Sequence, residues 1–252
     1  YNYWFVNFFT FSLLFIVLFK NKHKSLKFFF FYGYFFGFGY FVSNLYWIPL
    51  SLLHDENFKF LIPIAIVLIP AFLSLFYALA FFVFKLFFNF KAIFTNILTF
   101  SIILGLFEFL RGSILSGFPW NLFAYSFSEN LKIIQISSLI GIYAFNTIVI
   151  TVFSVPSILY LNRKKNDLLG FFLIIILSIA SYIYGNFKIS AFKNLEIQKL
   201  SAEIKILSTN ISIERFYSNL DEEEILNKLI DLSNPNQQEN TIYIWPEGVI
   251  PN

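Results

Sequence analysis

The sequence predicts a polytopic α-helical membrane bundle followed by the start of an α/β domain. Hydrophobic residues make up 58% of the 252-residue chain and charged residues 13%, whereas a soluble domain carries about 25% charged residues. Several apolar runs approach the roughly 20 residues that span a bilayer. A strand–helix–strand pattern follows these runs. Together, these observations predict a membrane protein with an appended α/β segment.

Six apolar segments are candidate transmembrane helices. Residues 1–186 are therefore interpreted as a membrane domain of about six helices. The first segment lacks the basic start and small-residue cleavage site of a signal peptide, so it is interpreted as a membrane helix. The six segments are Tyr3–Phe19, Phe28–Leu53, Phe60–Phe88, Ala92–Leu110, Ile133–Leu161 and Leu168–Tyr184. Within the second segment, Gly33 and Gly37 have the GxxxG spacing that favours close helix contact.

The connections between these segments carry unequal positive charge. Nine basic residues lie at the ends of the first, third and fifth segments or in the connections after them: Lys20, Lys22, Lys24, Lys27, Lys85, Lys91, Arg163, Lys164 and Lys165. Three lie on the opposite side: Lys59, Arg111 and Lys132. Because basic connections stay in the cytoplasm, we expect residues after Tyr184 to lie outside it.

Residues 187–252 have the composition of a folded α/β segment. Glu203–Thr209 alternates as a half-buried strand does, and Leu220–Leu232 has a helical pattern with acidic residues in its first turn. Thr241–Trp245 is a second strand. This order favours a parallel sheet. Because about 50 residues are too few for a stable α/β domain, we expect the domain to be incomplete.

Glu247 is the first candidate for chemistry, two residues beyond the second predicted strand. Ligands gather at the carboxyl ends of strands in open α/β sheets. Pro246 cannot donate to the sheet, so the chain must leave the sheet and direct Glu247 outward. A carboxylate placed there can act as a general base. The alternative is a solvated loop glutamate, and the residues alone favour that alternative.

A second candidate is the run FEFLRGSILSGFPWN, Phe107–Asn121. Glu108 and Arg111 are three residues apart on a predicted helix, close enough to pair. Ionisable residues at membrane depth are costly and commonly functional. Pro119 breaks the helix, and Trp120 suits the membrane interface. The alternative is an ion pair that only stabilises the helix end.

Cysteine count and net charge exclude some functions. The chain contains no cysteine, so disulfides and thiolate chemistry are excluded within these residues. The net charge of +3 is small, and nucleic acid is therefore not an expected partner. No cofactor is expected.

Three stretches together resemble the bacterial apolipoprotein N-acyltransferase family. They are GYFVSNLYWI in an early span, FEFLRGSILSGFPWN with the downstream ISSLIGIYAFN, and IKILSTNI followed by IYIWPEGVIP. The WPE run alone indicates only the carbon–nitrogen hydrolase (nitrilase-like) superfamily. Joined to a multi-span region with the GFPW run, it is specific to the N-acyltransferases.

The resemblance implies a multi-pass enzyme of the bacterial inner membrane with an αββα nitrilase-like domain, residues 187–252 forming its N-terminal part in the periplasm. Such enzymes move an acyl chain from a phospholipid to the α-amino group of a diacylglyceryl-cysteine lipoprotein. The Cys of a Glu-Lys-Cys triad forms a thioester, while Glu is the base and Lys stabilises the oxyanion. The implied partners are the membrane, a phospholipid acyl donor and a diacylglyceryl apolipoprotein acceptor, and a monomer is expected.

The resemblance also assigns roles to individual residues. Glu247 falls on the family's catalytic Glu, and Phe216 falls near a position where the family often has Trp. The candidate substrate-binding residues are Phe216, Trp245, Glu108, Arg111 and Trp120. No residue matches the catalytic Lys and Cys, whose positions would lie beyond Asn252. Because loss of a nucleophile removes several orders of magnitude of rate, we expect this chain alone to be inactive.

Two other functions stay open. A polytopic transporter or channel with an outer appendage would need polar residues lining a path through several spans. The spans hold only scattered Ser, Thr and Asn, with Glu108 near an end. A membrane-tethered amidase of the same superfamily would hydrolyse amides instead of transferring acyl groups.

Overall fold

The chain folds as two compact units, Tyr1–Asn194 and Leu195–Asn252. The computed structural model describes residues 4–89, 92–114, 117–161, 164–195, 202–208, 222–236 and 240–246. The first unit is a helical bundle, and the second contains a strand, a helix and a strand. A polytopic bundle followed by the start of an α/β domain is therefore confirmed.

Helices make up the described part of the first unit. They are α1 (Val6–Lys20), α2 (Leu26–Leu45), α3 (Ile62–Leu86), α4 (Ile93–Ser113), α5 (Leu131–Ile134), α6 (Ser137–Ile140), α7 (Ile142–Ser154), α8 (Ser157–Leu161) and α9 (Lys165–Lys193). Three 3-10 helices lie in the connections, at Ile48–His54, Glu56–Leu61 and Phe123–Phe127. Among the described residues, four helical stretches are long and apolar enough to cross a membrane: Glu56–Leu86, Ile93–Ser113, Ile142–Leu161 and Lys165–Lys193.

The second predicted segment is not one continuous helix. α2 ends at Leu45, and a 3-10 helix begins at Ile48. Pro49 has no N–H to donate to the carbonyl of Leu45, so an α-helix cannot continue through this point. Tyr46 and Trp47 form the turn between the two helices.

The fifth predicted segment is divided into several helices. Gly141 separates α6 from α7 with φ of 80°, a conformation that favours glycine. Pro156 lies between α7 and α8 and cannot donate to the carbonyl of Val152. Length and hydropathy alone did not indicate these breaks.

α9 continues past the predicted boundary at residues 186 and 187, to Lys193. Gly185, at which the composition changes, lies inside this helix and is buried. A Cβ atom there would overlap the backbone of Lys132. The glycine therefore permits close packing of α9 against α5, and it does not end the helix.

α2 and α3 pack closely through the GxxxG glycines. A Cβ atom at Gly33 would lie 2.6 Å from the carbonyl oxygen of Tyr77, and one at Gly37 would lie 3.0 Å from the Tyr77 Cβ. Phe81 and Phe84 of α3 are buried beside them. The close contact predicted from the GxxxG spacing is confirmed.

The basic connections gather at one end of the bundle, which we name the basic end. Lys85 Nζ donates a hydrogen bond to the carbonyl of Lys22, and Lys20 Nζ donates to Tyr160 Oη at 3.0 Å. α2 and α4 finish at the opposite end, where α3 begins, and we name it the loop end. There Tyr40 Oη donates to the carbonyl of Asn121 at 2.7 Å.

The second unit contains β1 (Glu203–Ile206), α10 (Glu222–Ser233) and β2 (Thr241–Ile244). The strands pair in parallel, with Glu203 opposite Thr241 and Ile206 opposite Ile244. The predicted parallel strand–helix–strand order is therefore confirmed.

Candidate functional site

α4 places two opposite charges inside the bundle. The side chains of Glu108 and Arg111 are both 0% exposed, and Arg111 Nη2 donates to Glu108 Oε2. Tyr77 Oη, from α3, donates to the other carboxylate oxygen, Oε1. A buried charge without a partner costs several kcal/mol. The three side chains therefore form one unit, in which each oxygen of the carboxylate accepts a hydrogen bond.

Arg111 also holds the chain that follows α4. Its Nη1 donates to the carbonyl of Phe118 at 2.7 Å, and its guanidinium carbon lies 5.2 Å from the ring centroid of Phe41 and 5.7 Å from that of Phe118. Arg111 Nε has no hydrogen-bond partner among the described residues. The guanidinium thus connects the buried carboxylate to the loop beyond the helix.

The loop Gly117–Asn121 turns at both of its ends. Gly117 has φ of 74° and Asn121 has φ of 58°, and a Cβ at residue 117 would lie 2.6 Å from the carbonyl oxygen of Gly112. Between them, Trp120 stacks on Trp47 with ring centroids 5.5 Å apart and planes at 14°. The two indoles are 49% and 47% exposed. The loop therefore presents an exposed aromatic pair beside the buried charges.

An apolar groove of about 480 Å³ lies between α3 and the end of α4. It is lined by Leu68, Ile69, Phe72, Leu73 and Phe76 of α3, and by Arg111, Ile114, Gly117 and Phe118 on the other wall. Leu68 and Phe72 are exposed, so the groove opens on the lateral surface of the bundle. Arg111 is the single charged residue among the described lining residues. Such a groove suits a molecule with an apolar chain and a polar head.

The predicted site residues fall into separate groups. Glu108, Arg111 and Trp120 lie together at the loop end, whereas Trp245 lies in the second unit. Phe216 and Glu247 lie outside the described residues. Sequence reasoning missed Tyr77, although a lone tyrosine hydroxyl inside an apolar helix was a signal. It also missed the partnership of Trp47 with Trp120, since 73 positions separate them.

Trp245 is held by the helix of its own unit. Its ring packs against Ile225 and Leu229 of α10, and its Nε1 donates to Ser233 Oγ at 3.0 Å. This contact positions the end of β2 immediately before Pro246. In the described part of the chain, no group of three or more His, Asp or Glu side chains could hold a metal ion.

The fold and the site define an integral membrane protein in which a helical bundle precedes an α/β unit. The sequence profile of the apolipoprotein N-acyltransferase N-terminal domain matches residues 1–155. The chain belongs to that family, as its motifs predicted.

Proteins named apolipoprotein N-acyltransferase are similar to most of this chain. The protein from Brucella melitensis is 31% identical over 224 residues, 87% of this chain and 41% of its own length. The one from Rhodopseudomonas palustris is 28% identical over 230 residues, 87% of this chain and 42% of its own length. The one from Allorhizobium ampelinum is 27% identical over 256 residues, 97% of this chain and 47% of its own length. The chain thus spans less than half the length of these relatives.

Proposed function

We propose that this chain supplies the membrane bundle and the beginning of the catalytic domain of an apolipoprotein N-acyltransferase. The enzyme moves an acyl chain from a phospholipid to the α-amino group of the N-terminal diacylglyceryl-cysteine of a lipoprotein. The family match over residues 1–155 carries the proposal. The intermediate is a thioester on a cysteine. Because the chain has no cysteine, it is inactive by itself.

The groove supports a phospholipid as the acyl donor. Its described lining is apolar apart from Arg111, and it opens on the lateral surface of the bundle. An acyl chain can enter such a groove without leaving hydrocarbon. Arg111 contributes positive charge to the wall of the groove, where its buried guanidinium is already paired with Glu108. Arg111, oriented by Glu108, is the substrate-binding residue of the groove. Trp120, in the loop that follows, is a second substrate-binding residue outside its lining.

Glu247 is the general base of the transfer. It follows β2, and the parallel pairing of β2 with β1 supports a ligand site at this edge, since ligands gather at the carboxyl ends of parallel strands. The contact between Trp245 and Ser233 holds the last residues before it. Trp245 and Phe216 are assigned as substrate-binding residues from the family resemblance.

The C-terminal unit lies in the periplasm and the bundle in the inner membrane. Basic residues collect at one end of the bundle, which is typical of the cytoplasmic side. α9 begins at that end, where Asp167 contacts α4, and its 29 residues reach about 44 Å. A helix of that length is long enough to cross a bilayer, which supports the periplasmic assignment of the residues that follow it.

A chimera tests the proposal. The segment of the Brucella melitensis relative that aligns with this chain is replaced by residues 1–252, and N-acylation of a diacylglyceryl lipopeptide is measured by mass spectrometry. We expect acyl transfer by the chimera and none by the 252-residue chain. Glu247→Gln in the chimera should lower kcat by about 10²- to 10⁴-fold. Acyl transfer by the chain alone, or an unchanged rate with Glu247→Gln, would contradict the proposal, and amide hydrolysis without transfer would favour the amidase.

A further inference from the structure

α3 changes its packing at Pro70, which lies inside the helix. Proline has no N–H, so the carbonyl of Ile66 loses its helical hydrogen bond. No residue of Ile62–Ile69 is buried. Most of the residues buried in α3 follow the proline: Leu73, Ser74, Tyr77, Ala78, Ala80, Phe81 and Phe84. α3 is therefore anchored in the bundle mainly from Pro70 onward.

The segment Ile48–Ile69, which we name the arm, precedes this point. It contains the 3-10 helices Ile48–His54 and Glu56–Leu61, which pack on each other and on α3. Several of its large apolar side chains are exposed: Leu50, Leu53, Phe58, Phe60, Ile64, Val67 and Leu68. Pro49 is the one buried residue of the arm, and Ile48 and Ile69, at its two ends, pack against the hydrophobic core. The arm is thus a connected body that is attached to the rest of the bundle at its ends.

The groove spans Pro70, the point at which the packing of α3 changes. Leu68 and Ile69 line it from the arm, and Phe72 and Phe76 line it from the anchored part of α3. Phe118 belongs to the opposite wall, which the hydrogen bond from Arg111 holds in place. Bending of α3 at Pro70 therefore changes the width of the groove while its other wall stays fixed.

An aromatic stack joins the arm to that fixed wall. Trp47 immediately precedes the arm, and its Nε1 donates to the carbonyl of Asn44 at 3.0 Å. Its ring stacks on Trp120 of the Gly117–Asn121 loop. Because stacked aromatic pairs are favourable but weak, this contact can hold the arm without preventing its movement.

We propose that the arm is a gate over the apolar groove, hinged at Pro70 and held closed by the Trp47–Trp120 stack. Hinge motions of this kind concentrate the backbone change in a few residues at an element boundary. That the gate admits an acyl chain rests on the proposed function, whereas the movement of the arm does not. The gate controls when the groove is open to the surrounding lipid.

Spin labels test the motion, and the absence of native cysteine makes labelling specific. Nitroxides are attached to the 252-residue chain in phospholipid nanodiscs at Leu53→Cys and Leu131→Cys, and distances are measured by double electron–electron resonance. The matched control replaces the first site by Leu79→Cys, on the anchored part of α3. All three positions are exposed. We expect a broader distance distribution for the pair that includes the arm than for the control pair.

Two substitutions test the hinge at Pro70 and the Trp47–Trp120 stack separately. Trp120→Ala should raise the ratio of open to closed arm by about two- to tenfold, the range for one aromatic pair. Pro70→Ala restores a helical hydrogen bond and should narrow the arm distribution to the width of the control. The control pair should stay unchanged in both variants, which shows that the bundle is folded.

Equal widths for the two pairs, or an arm distribution that neither substitution alters, would overturn the gate. These distances do not depend on acyl transfer. An inactive chimera would therefore contradict the proposed activity but not the gate. An immobile arm would contradict the gate but not the proposed activity.

Discussion

Arg111 and Phe118 are joined by two hydrogen bonds that run in opposite directions. Arg111 Nη1 donates to the carbonyl of Phe118 at 2.7 Å, and the backbone N–H of Phe118 donates to the carbonyl of Arg111 at 2.9 Å. The end of α4 and the loop after it are therefore one structural unit. The guanidinium that neutralises Glu108 also determines where Trp120 lies.

Removal of the Arg111 charge should destabilise the bundle strongly. Arg111→Leu leaves Glu108 buried without its cation, and breaking one side of such a pair costs about 3–5 kcal/mol. Reversible unfolding in detergent micelles, monitored by circular dichroism, measures the loss. The double variant Glu108→Gln/Arg111→Leu should recover part of it. Equal losses in the single and double variants would show that the pair has no energetic coupling.

Replacement of Arg111 by lysine should disturb the loop while retaining the charge. A lysine ammonium is a point charge and cannot reproduce the planar fork of the guanidinium, which here reaches both Glu108 and Phe118. We expect the stack of Trp47 and Trp120 to loosen and the tryptophan emission spectrum to shift. Trp4→Phe/Trp245→Phe variants of both proteins restrict the signal to this pair. Identical spectra would contradict a role of Arg111 in holding the loop.

Tyr77→Phe should weaken the contact between α3 and α4. The phenol donates to a carboxylate oxygen of Glu108 that is buried, and an unsatisfied buried polar group costs about 1–3 kcal/mol. Unfolding in micelles gives the difference. Tyr182→Phe is the matched control, because Tyr182 is exposed on α9. A similar stability change in both variants would mean that the hydrogen bond to Glu108 is not the cause.

Gly33→Ala should separate α2 from α3. The new methyl group would lie 2.6 Å from the carbonyl oxygen of Tyr77 and 2.8 Å from the Cβ of Phe81, so one helix must move. Gly39→Ala on the same helix meets no atom within 4 Å and should stabilise by up to about 1 kcal/mol, since alanine favours helix. The two substitutions should therefore change the midpoint of unfolding in opposite directions. A shared direction would contradict the packing of α2 on α3.

Asp167→Ala should weaken the start of α4. One oxygen of this buried carboxylate accepts from the backbone N–H groups of Ile93 and Phe94 at 3.1 and 2.9 Å, so α9 caps a neighbouring helix. Loss of such a cap costs about 0.5–2 kcal/mol. Hydrogen exchange of the first amides of α4 should accelerate. Asp55→Ala provides a comparison, since that carboxylate caps only an exposed 3-10 helix. Unchanged protection at Ile93 and Phe94 would show that α4 starts without Asp167.

The Glu108–Arg111 pairing could be predicted from sequence because three residues along a helix place two side chains on one face. Tyr77, the third member, could not, since it reaches Glu108 from another helix. The GxxxG spacing predicted a close approach but not its partner. The helix breaks at Pro49 and Gly141 were not predicted either. They depend on local backbone conformation, and hydropathy averaged over 20 residues does not detect it.

The sequence by itself determined that this protein is a polytopic membrane bundle with an α/β segment, which side of the bundle is basic, and to which family it belongs. These properties follow from composition, periodicity and short motifs, each readable over consecutive residues. Only the tertiary structure decided that Arg111 holds a loop, that Trp47 stacks on Trp120, and that an apolar groove lies across Pro70. The stack and the groove bring together residues far apart in the chain, and the loop is held by a side chain that reaches beyond the end of its own helix. Such contacts are set by packing and not by helix formation.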